Sequence, residues 1–184
     1  MIGKKIKIVE VGPRDGLQNE KMNLDIFSRV TLIDLLSDSG LESVEVGSFV
    51  SPKWVPQMKD TDKVFKKIKK RIRTSYPVLV PNNKGLEEAL KAKVSEIAIF
   101  VAASEEFSKS NINCSISESL KRSENIIKIA KSQSLKIRGY ISTVLGCPFQ
   151  GKVDIRQVCD ITQALYELGC YEISLGDTIG VGTP

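Results

Sequence analysis

Val11-Gly12-Pro13-Arg14-Asp15-Gly16-Leu17-Gln18-Asn19-Glu20 follows directly on Ile6 to Val9, a run in which Ile6 and Ile8 alternate with Lys7. Alternation of this kind predicts a short strand, and Gly12-Pro13 ends it. Arg14 and Asp15 therefore fall at a strand's C-terminal end, where Pro13 fixes φ and Gly16 permits a φ that other residues avoid. The stretch lacks the G-x-G-x-x-G spacing of a nucleotide-binding loop, which removes the main support for a doubly wound sheet. An ordinary strand-to-helix loop with a surface ion pair has the same polar look. The rest of the chain has to decide between the two.

Outward from this turn, strands and helices alternate. Asn23 is expected to cap a helix carrying Ile26, Val30 and Ile33 on one face, widened by Leu32, Leu35 and Leu36 and closed by Gly40. Ser43 to Ser48 reads as the second strand. The loop from Phe49 to Met58 is long, aromatic and stiffened by Pro52 and Pro56, features of a lid or binding wall. Lys63 to Arg73 reads as a basic helix packed through Val64 or Phe65, Ile68 and Ile72. Tyr76 to Val80 is the third strand, and a short helix through Leu86, Ala89 and Leu90 follows it. Glu96 to Val101 is the fourth strand, apolar enough to be buried on both faces. Ser115 and Glu118 form a capping box for a long helix with Ile116, Leu120, Ile127 and Ala130 on one side. Lys136 to Ser142 is the fifth strand, and Asp154 with Gln157 opens a helix striped by Val158, Ile161, Leu165 and Leu168 that Gly169 ends. Tyr171 to Leu175 is the sixth. Such alternation means a parallel sheet with right-handed crossovers. Polar residues gather at the strand ends, namely Arg14, Asp15, Glu45, Ser48, Asn82, Ser104, Glu105, Thr143 and Asp177, and this favours a (β/α)8 TIM barrel, here truncated after the sixth strand.

With 184 residues and 41% hydrophobic content, the chain can bury a core and reads as one globular domain over residues 1–184. Its mean hydropathy is −0.08. No apolar stretch reaches the roughly 18 residues of a membrane span, and Met1 to Lys5 has no signal-peptide core, so the expectation is a cytoplasmic protein without a membrane partner. Cys114, Cys147, Cys159 and Cys170 form no Cys-x-x-Cys pair, which argues against a zinc site or disulfide framework. The net charge of +5 comes largely from Lys63 to Arg73. It reads as the wet face of a helix or an anion-binding patch, and nucleic acid is not expected. There are no histidines. The chain alone therefore cannot build a Ser-His-Asp or Cys-His mechanism, or a His-based metal site.

Carboxylates at Asp15, Glu45 and Asp177 with Arg14 suggest an oxygen-rich site for a hard cation, and an arginine placed to stabilise an oxyanion. Four longer strings sharpen this: Val11 to Glu20, Ser48-Phe-Val-Ser-Pro-Lys-Trp-Val-Pro-Gln-Met58, Asn111-Ile-Asn-Cys-Ser115, and Gly169 to Pro184. In content and order they resemble the 3-hydroxy-3-methylglutaryl-CoA lyase family. The resemblance implies a metal-dependent barrel of a wider superfamily that also holds isopropylmalate and homocitrate synthases. It implies cleavage of an acyl-CoA to acetyl-CoA and acetoacetate, as in leucine breakdown, with Mg²⁺ or Mn²⁺ as cofactor and a homo-oligomer at full length. By the same resemblance Asp15 matches a metal ligand and Arg14 the arginine that stabilises the acetyl-CoA enolate. Glu45 and Asp177 match acidic residues of the site, Gln18 and Thr178 are substrate-binding candidates, and Cys147 is structural.

The family's remaining metal ligands, a His-x-His pair and an asparagine, have no counterpart in these residues. The expectation is therefore an inactive fragment of a lyase, with Ile6 to Val9 and Tyr171 to Leu175 left as unpaired edges. A related aldol-type lyase or synthase of the superfamily, and a short non-catalytic relative acting as a binding module, are the competing readings.

Overall fold

The computed structural model describes residues 6–183; the readings attached to Met1 to Lys5 and to Pro184 lie outside them. The backbone separates into two compact units, one up to Glu96 and one from Ile97.

In the first unit, β1 (Val9–Glu10) runs parallel to β2 (Ser43–Val44), and β3 (Gly47–Ser48) runs parallel to β4 (Val78–Leu79). The expected first strand starts later than Ile6, and Ile6 and Ile8 are exposed instead. The expected second strand is split in two because its amides alternate between partners: Val44 N donates to Ser75 O, Glu45 N to Glu10 O, and Val46 N to Pro77 O. Its residues are buried from Ser43 through Phe49. α1 (Ile26–Asp38) is capped by Asp25 rather than Asn23: the Asp25 carboxylate accepts from Ser28 N at 2.7 Å. Its fully buried line is Arg29, Ile33 and Ser37, spaced by four, and Leu35 faces solvent.

The basic helix is shorter than expected. α2 (Thr61–Lys67) ends where Ile68 turns extended, and Ile72 is fully exposed. The following amides leave the helical pattern for tertiary acceptors: Lys69 N donates to an Asp34 carboxylate oxygen and Arg71 N to Tyr76 Oη. α3 (Asn83–Lys91) is capped by Asn82.

In the second unit, β5 (Glu96–Ala102), β6 (Lys136–Ser142) and β7 (Glu172–Leu175) hydrogen-bond in that order, β6 and β7 being parallel. α4 (Glu105–Ile112), α5 (Ile116–Ser132) and α6 (Ile155–Leu168) connect them. The capping box at Ser115 and Glu118 is present in both directions. α6 buries Val158, Ile161 and Leu165. Gly139 on β6 faces that stripe: a Cβ there would lie 3.1 Å from Leu165 Cδ1 and 3.5 Å from Cys170 Sγ, so its absence lets helix and strand close together. Gly169, at φ 111°, ends the helix in the left-handed region. Because Gly139 faces α6, Arg138 and Tyr140 lie on the opposite face of β6. There the Arg138 guanidinium pairs with Glu172, its register partner on β7.

Candidate functional site

The turn after β1 is a five-residue π-helical segment, Gly12–Gly16, with Pro13 in its first turn. Gly16 does not use that freedom and takes no positive φ. The conformation is set by hydrogen bonds instead. Arg14 N and Asp15 N both donate to Val11 O, at 3.1 and 2.7 Å, and Gly12 N donates to Glu10 Oε1. This coil turns Arg14 inward, leaving its side chain 9% exposed, and Asp15 outward at 53%.

Glu45, between β2 and β3, is completely buried. Its two carboxylate oxygens accept from Arg14 Nε at 3.1 Å and Nη2 at 3.2 Å, while Arg14 Nη1 donates to Asp15 Oδ1 at 2.6 Å. The guanidinium is thus held in a two-pronged clamp along one edge and tied at its other nitrogen, which fixes both position and plane. This pairing compensates the desolvation of the buried carboxylate. Three of the predicted residues are brought together at the strand ends of the first unit. Gln18 lies half-buried in the segment beyond.

Asp177 and Thr178 lie in the second unit, just past β7. The exposed Asp177 carboxylate accepts from Val181 N at 3.1 Å and Gly182 N at 2.9 Å. These amide hydrogen bonds, Gly182's first, hold its pKa below the ordinary aspartate value of 3.8. Thr178 Oγ1 accepts from Thr143 N at 2.7 Å. Thr143 is fully buried at φ 62°, a costly conformation for a β-branched residue, and marks a sharp turn at the end of β6.

Several features were not legible in the sequence. Arg29 is buried, donating to Lys59 O at 2.7 Å and Thr61 Oγ1 at 3.2 Å. Ser104 Oγ lies 2.9 Å from both Cys147 Sγ and Gln150 Oε1. Burial pushes the Cys147 thiol up, but hydrogen bonds from Ser104 and from the Gln150, Phe149 and Phe107 amides bring it below its ordinary value. Cys170 has burial alone and is raised to about 11.

The fit to a divalent cation is incomplete. Asp15 offers an exposed carboxylate with one oxygen already bonded to Arg14. Among the described residues no three His, Cys, Asp or Glu side chains gather into a metal-holding group. A hard cation prefers about six oxygens. These residues do not by themselves build its site.

Residues 5–184 match the family model described as HMGL-like. The mitochondrial hydroxymethylglutaryl-CoA lyase of Bos taurus is 58% identical over 181 residues, covering 98% of this chain and 56% of that protein. The 3-hydroxy-3-isohexenylglutaryl-CoA/hydroxy-methylglutaryl-CoA lyase of Pseudomonas aeruginosa is 55% identical over 180 residues, covering 98% of this chain and 60% of that protein. The chain thus spans a little over half the length of the curated relatives it matches. A crystal structure of hydroxymethylglutaryl-CoA lyase from Pseudomonas aeruginosa superposes with a TM-score of 0.95 at 55% identity, over 98% of this chain and 60% of that one. An HMG-CoA lyase from Acinetobacter baumannii, in complex with coenzyme A and 3-methylmalate, superposes at 0.91 and 33% identity, over 97% of this chain and 59% of that one. The fold is accordingly that of part of a (β/α)8 barrel, and the chain belongs to the HMGL-like family, among the hydroxymethylglutaryl-CoA lyases.

Proposed function

We propose that this chain is the arginine-bearing part of a carbon–carbon lyase that cleaves 3-hydroxy-3-methylglutaryl-CoA to acetyl-CoA and acetoacetate, in leucine catabolism. The observation that carries the reading is the Arg14–Glu45–Asp15 cluster at the strand ends. Breaking the carbon–carbon bond pushes negative charge onto the thioester oxygen of the departing acetyl-CoA. A guanidinium held rigidly before the reaction stabilises that charge without reorganising. Glu45 orients Arg14. Asp177, kept ionised by the Val181 and Gly182 amides, serves to order the substrate hydroxyl and its proton. Gln18 and Thr178 are assigned to substrate binding. The cofactor is Mg²⁺ or Mn²⁺, to which these residues offer Asp15 alone, so no step is assigned to it here. Residues 1–184 are read as part of one catalytic barrel domain that works in the cytoplasm as a homo-oligomer, with neither nucleic acid nor membrane as partner. A related acyl-CoA with a larger 3-substituent is the alternative substrate, since the Pseudomonas aeruginosa relative is named for an isohexenyl compound as well.

A chimera tests this. The chain is joined to the part of the Pseudomonas aeruginosa lyase beyond the matched region and assayed for acetoacetate with Mg²⁺ and 3-hydroxy-3-methylglutaryl-CoA. Turnover is expected, with Arg14→Gln lowering kcat by about 10²- to 10³-fold. A folded chimera without turnover, or an Arg14→Gln variant at full kcat, contradicts the reading.

A further inference from the structure

Two surfaces of the chain, one in each unit, match in both charge and polarity. The first is the turn that follows α2. Its course is fixed inside the first unit: Lys69 N donates to an Asp34 carboxylate oxygen at 2.8 Å, Arg71 N to Tyr76 Oη at 2.9 Å, and Thr74 Oγ1 to Leu41 O at 2.8 Å. Arg71 Nε donates to Asp38 at 2.7 Å. At the tip of this turn Ile72 is fully exposed. Lys69, Lys70 and Arg73 flank it, and none of them makes an ion pair among the described residues. A lone aliphatic side chain in water is ordinary. Held out by a hydrogen-bonded turn among unpaired cations, Ile72 is an apolar knob with a positive collar.

The second surface is a groove of about 580 Å³ between α5 and α6, both of the second unit. Leu120, Ala164 and Leu168 give it an apolar lining, and Glu105, Glu124 and Glu167 border it with one cation, Lys121. Glu105 accepts from Ile116 N at 3.2 Å and Glu167 from Gln163 Nε2 at 2.6 Å. Both donors are neutral, and no lysine or arginine pairs with any of the three carboxylates among the described residues. The groove is thus apolar within and net negative at its border.

We propose that the occupant of the α5–α6 groove is the Ile72 turn of a second copy of this chain, with Ile72 entering the apolar lining and Lys69, Lys70 and Arg73 facing the glutamates. The proposal gives the homo-oligomer read above a specific contact and is independent of the lyase chemistry. Charge complementarity selects the occupant. A nucleic acid would match the cations alone, leaving both Ile72 and the groove unmatched, whereas a second copy matches all three. A turn fixed in advance loses little freedom on docking, so more of the contact appears as affinity. Turn and groove are different surfaces, so the contact is head-to-tail and each copy offers one of each. Much of its strength is exposed charge, and salt weakens it accordingly.

Photo-cross-linking between two distinguishable copies tests this. The 184-residue chain carrying Ile72→p-benzoylphenylalanine is mixed with ¹⁵N-labelled parent chain, irradiated, and its cross-linked peptides are mapped by mass spectrometry. Cross-links from residue 72 to labelled peptides of α5 or α6 are expected, with a yield that falls several-fold at about 1 M NaCl, where the screening length is about 3 Å. Glu124→Lys with Glu167→Lys in the labelled copy should lower the yield about tenfold, and Lys69→Glu with Arg73→Glu in the photoreactive copy should restore it. All four positions are exposed, and each variant is first checked for its helix signal. Cross-links confined to one copy, cross-links to the β7 edge instead of the groove, a yield indifferent to the charge exchange, or no cross-link at all overturns the contact. The lyase reading is decided separately by turnover of the chimera and survives any of these.

Discussion

Arg14 and Glu45 form the kind of pair that is more informative when broken than when counted. Two ions taken from water into a buried setting gain little net stability over apolar replacements, but removing one leaves the other uncompensated. Glu45→Gln is therefore expected to lower unfolding free energy by about 3 kcal/mol in a urea titration. Replacing both, Arg14→Met with Glu45→Gln, should recover part of that loss, and a double variant no more stable than the single one would contradict the pairing. At Asp177 the signature is pH. Its folded pKa is lowered, so the unfolded chain binds the proton first as pH falls. The stability it contributes is present above 3.8 and is lost as pH drops through the lower folded value. A carboxyl ¹³C titration should place its midpoint below 3.8, with the Val181 and Gly182 amides exchanging faster through the same window. A midpoint at or above 3.8 would mean those hydrogen bonds do not hold in solution.

At the level of elements, what could be read in advance was whatever declares itself locally. β6 was legible from Lys136 to Ser142, and α5 and α6 from their caps at Ser115 and Asp154 and their apolar stripes. In those stretches periodicity and end signals agree. α4 was missed: Phe107 and Ile112 are its only large apolar residues, too few for a stripe, although Ser104 accepts from Phe107 N as a cap should. The second half of the basic helix failed for a different reason. Asp34 and Tyr76, distant in sequence, take the amides of Lys69 and Arg71, and no helix propensity contains that information. The candidate site divides in the same way. Arg14, Asp15, Glu45 and Asp177 could be placed at or just past strand ends from the sequence, and the roles given to them came from the family resemblance. The burial of Arg29 and Arg138 was not legible, since each depends on partners some 30 residues away.

For the whole molecule, the described residues leave several large apolar side chains in water. Ile6, Ile8, Ile155, Tyr166 and Leu175 are each more than half exposed, and β7 closes the order β5, β6, β7 with a strand edge open. Open edges and exposed aliphatic groups are templates for self-association. The 184-residue chain alone is expected to bind 8-anilinonaphthalene-1-sulfonate, to sediment as more than a monomer, and to release no acetoacetate with Mg²⁺. A dye-silent monomer with lyase activity would contradict both the exposure and the incomplete metal site. The division at Glu96 and Ile97 also bears on biosynthesis. Chains emerge from the ribosome at about 5–20 residues per second, so the 88 residues from Ile97 take roughly 4 to 18 seconds to follow the first unit. The pairings of β1 with β2 and of β3 with β4, and the ion pair of Arg14 with Glu45, lie wholly within the first unit. During translation, Arg14 and Glu45 are both in the growing chain for seconds before Asp177 has been joined to it.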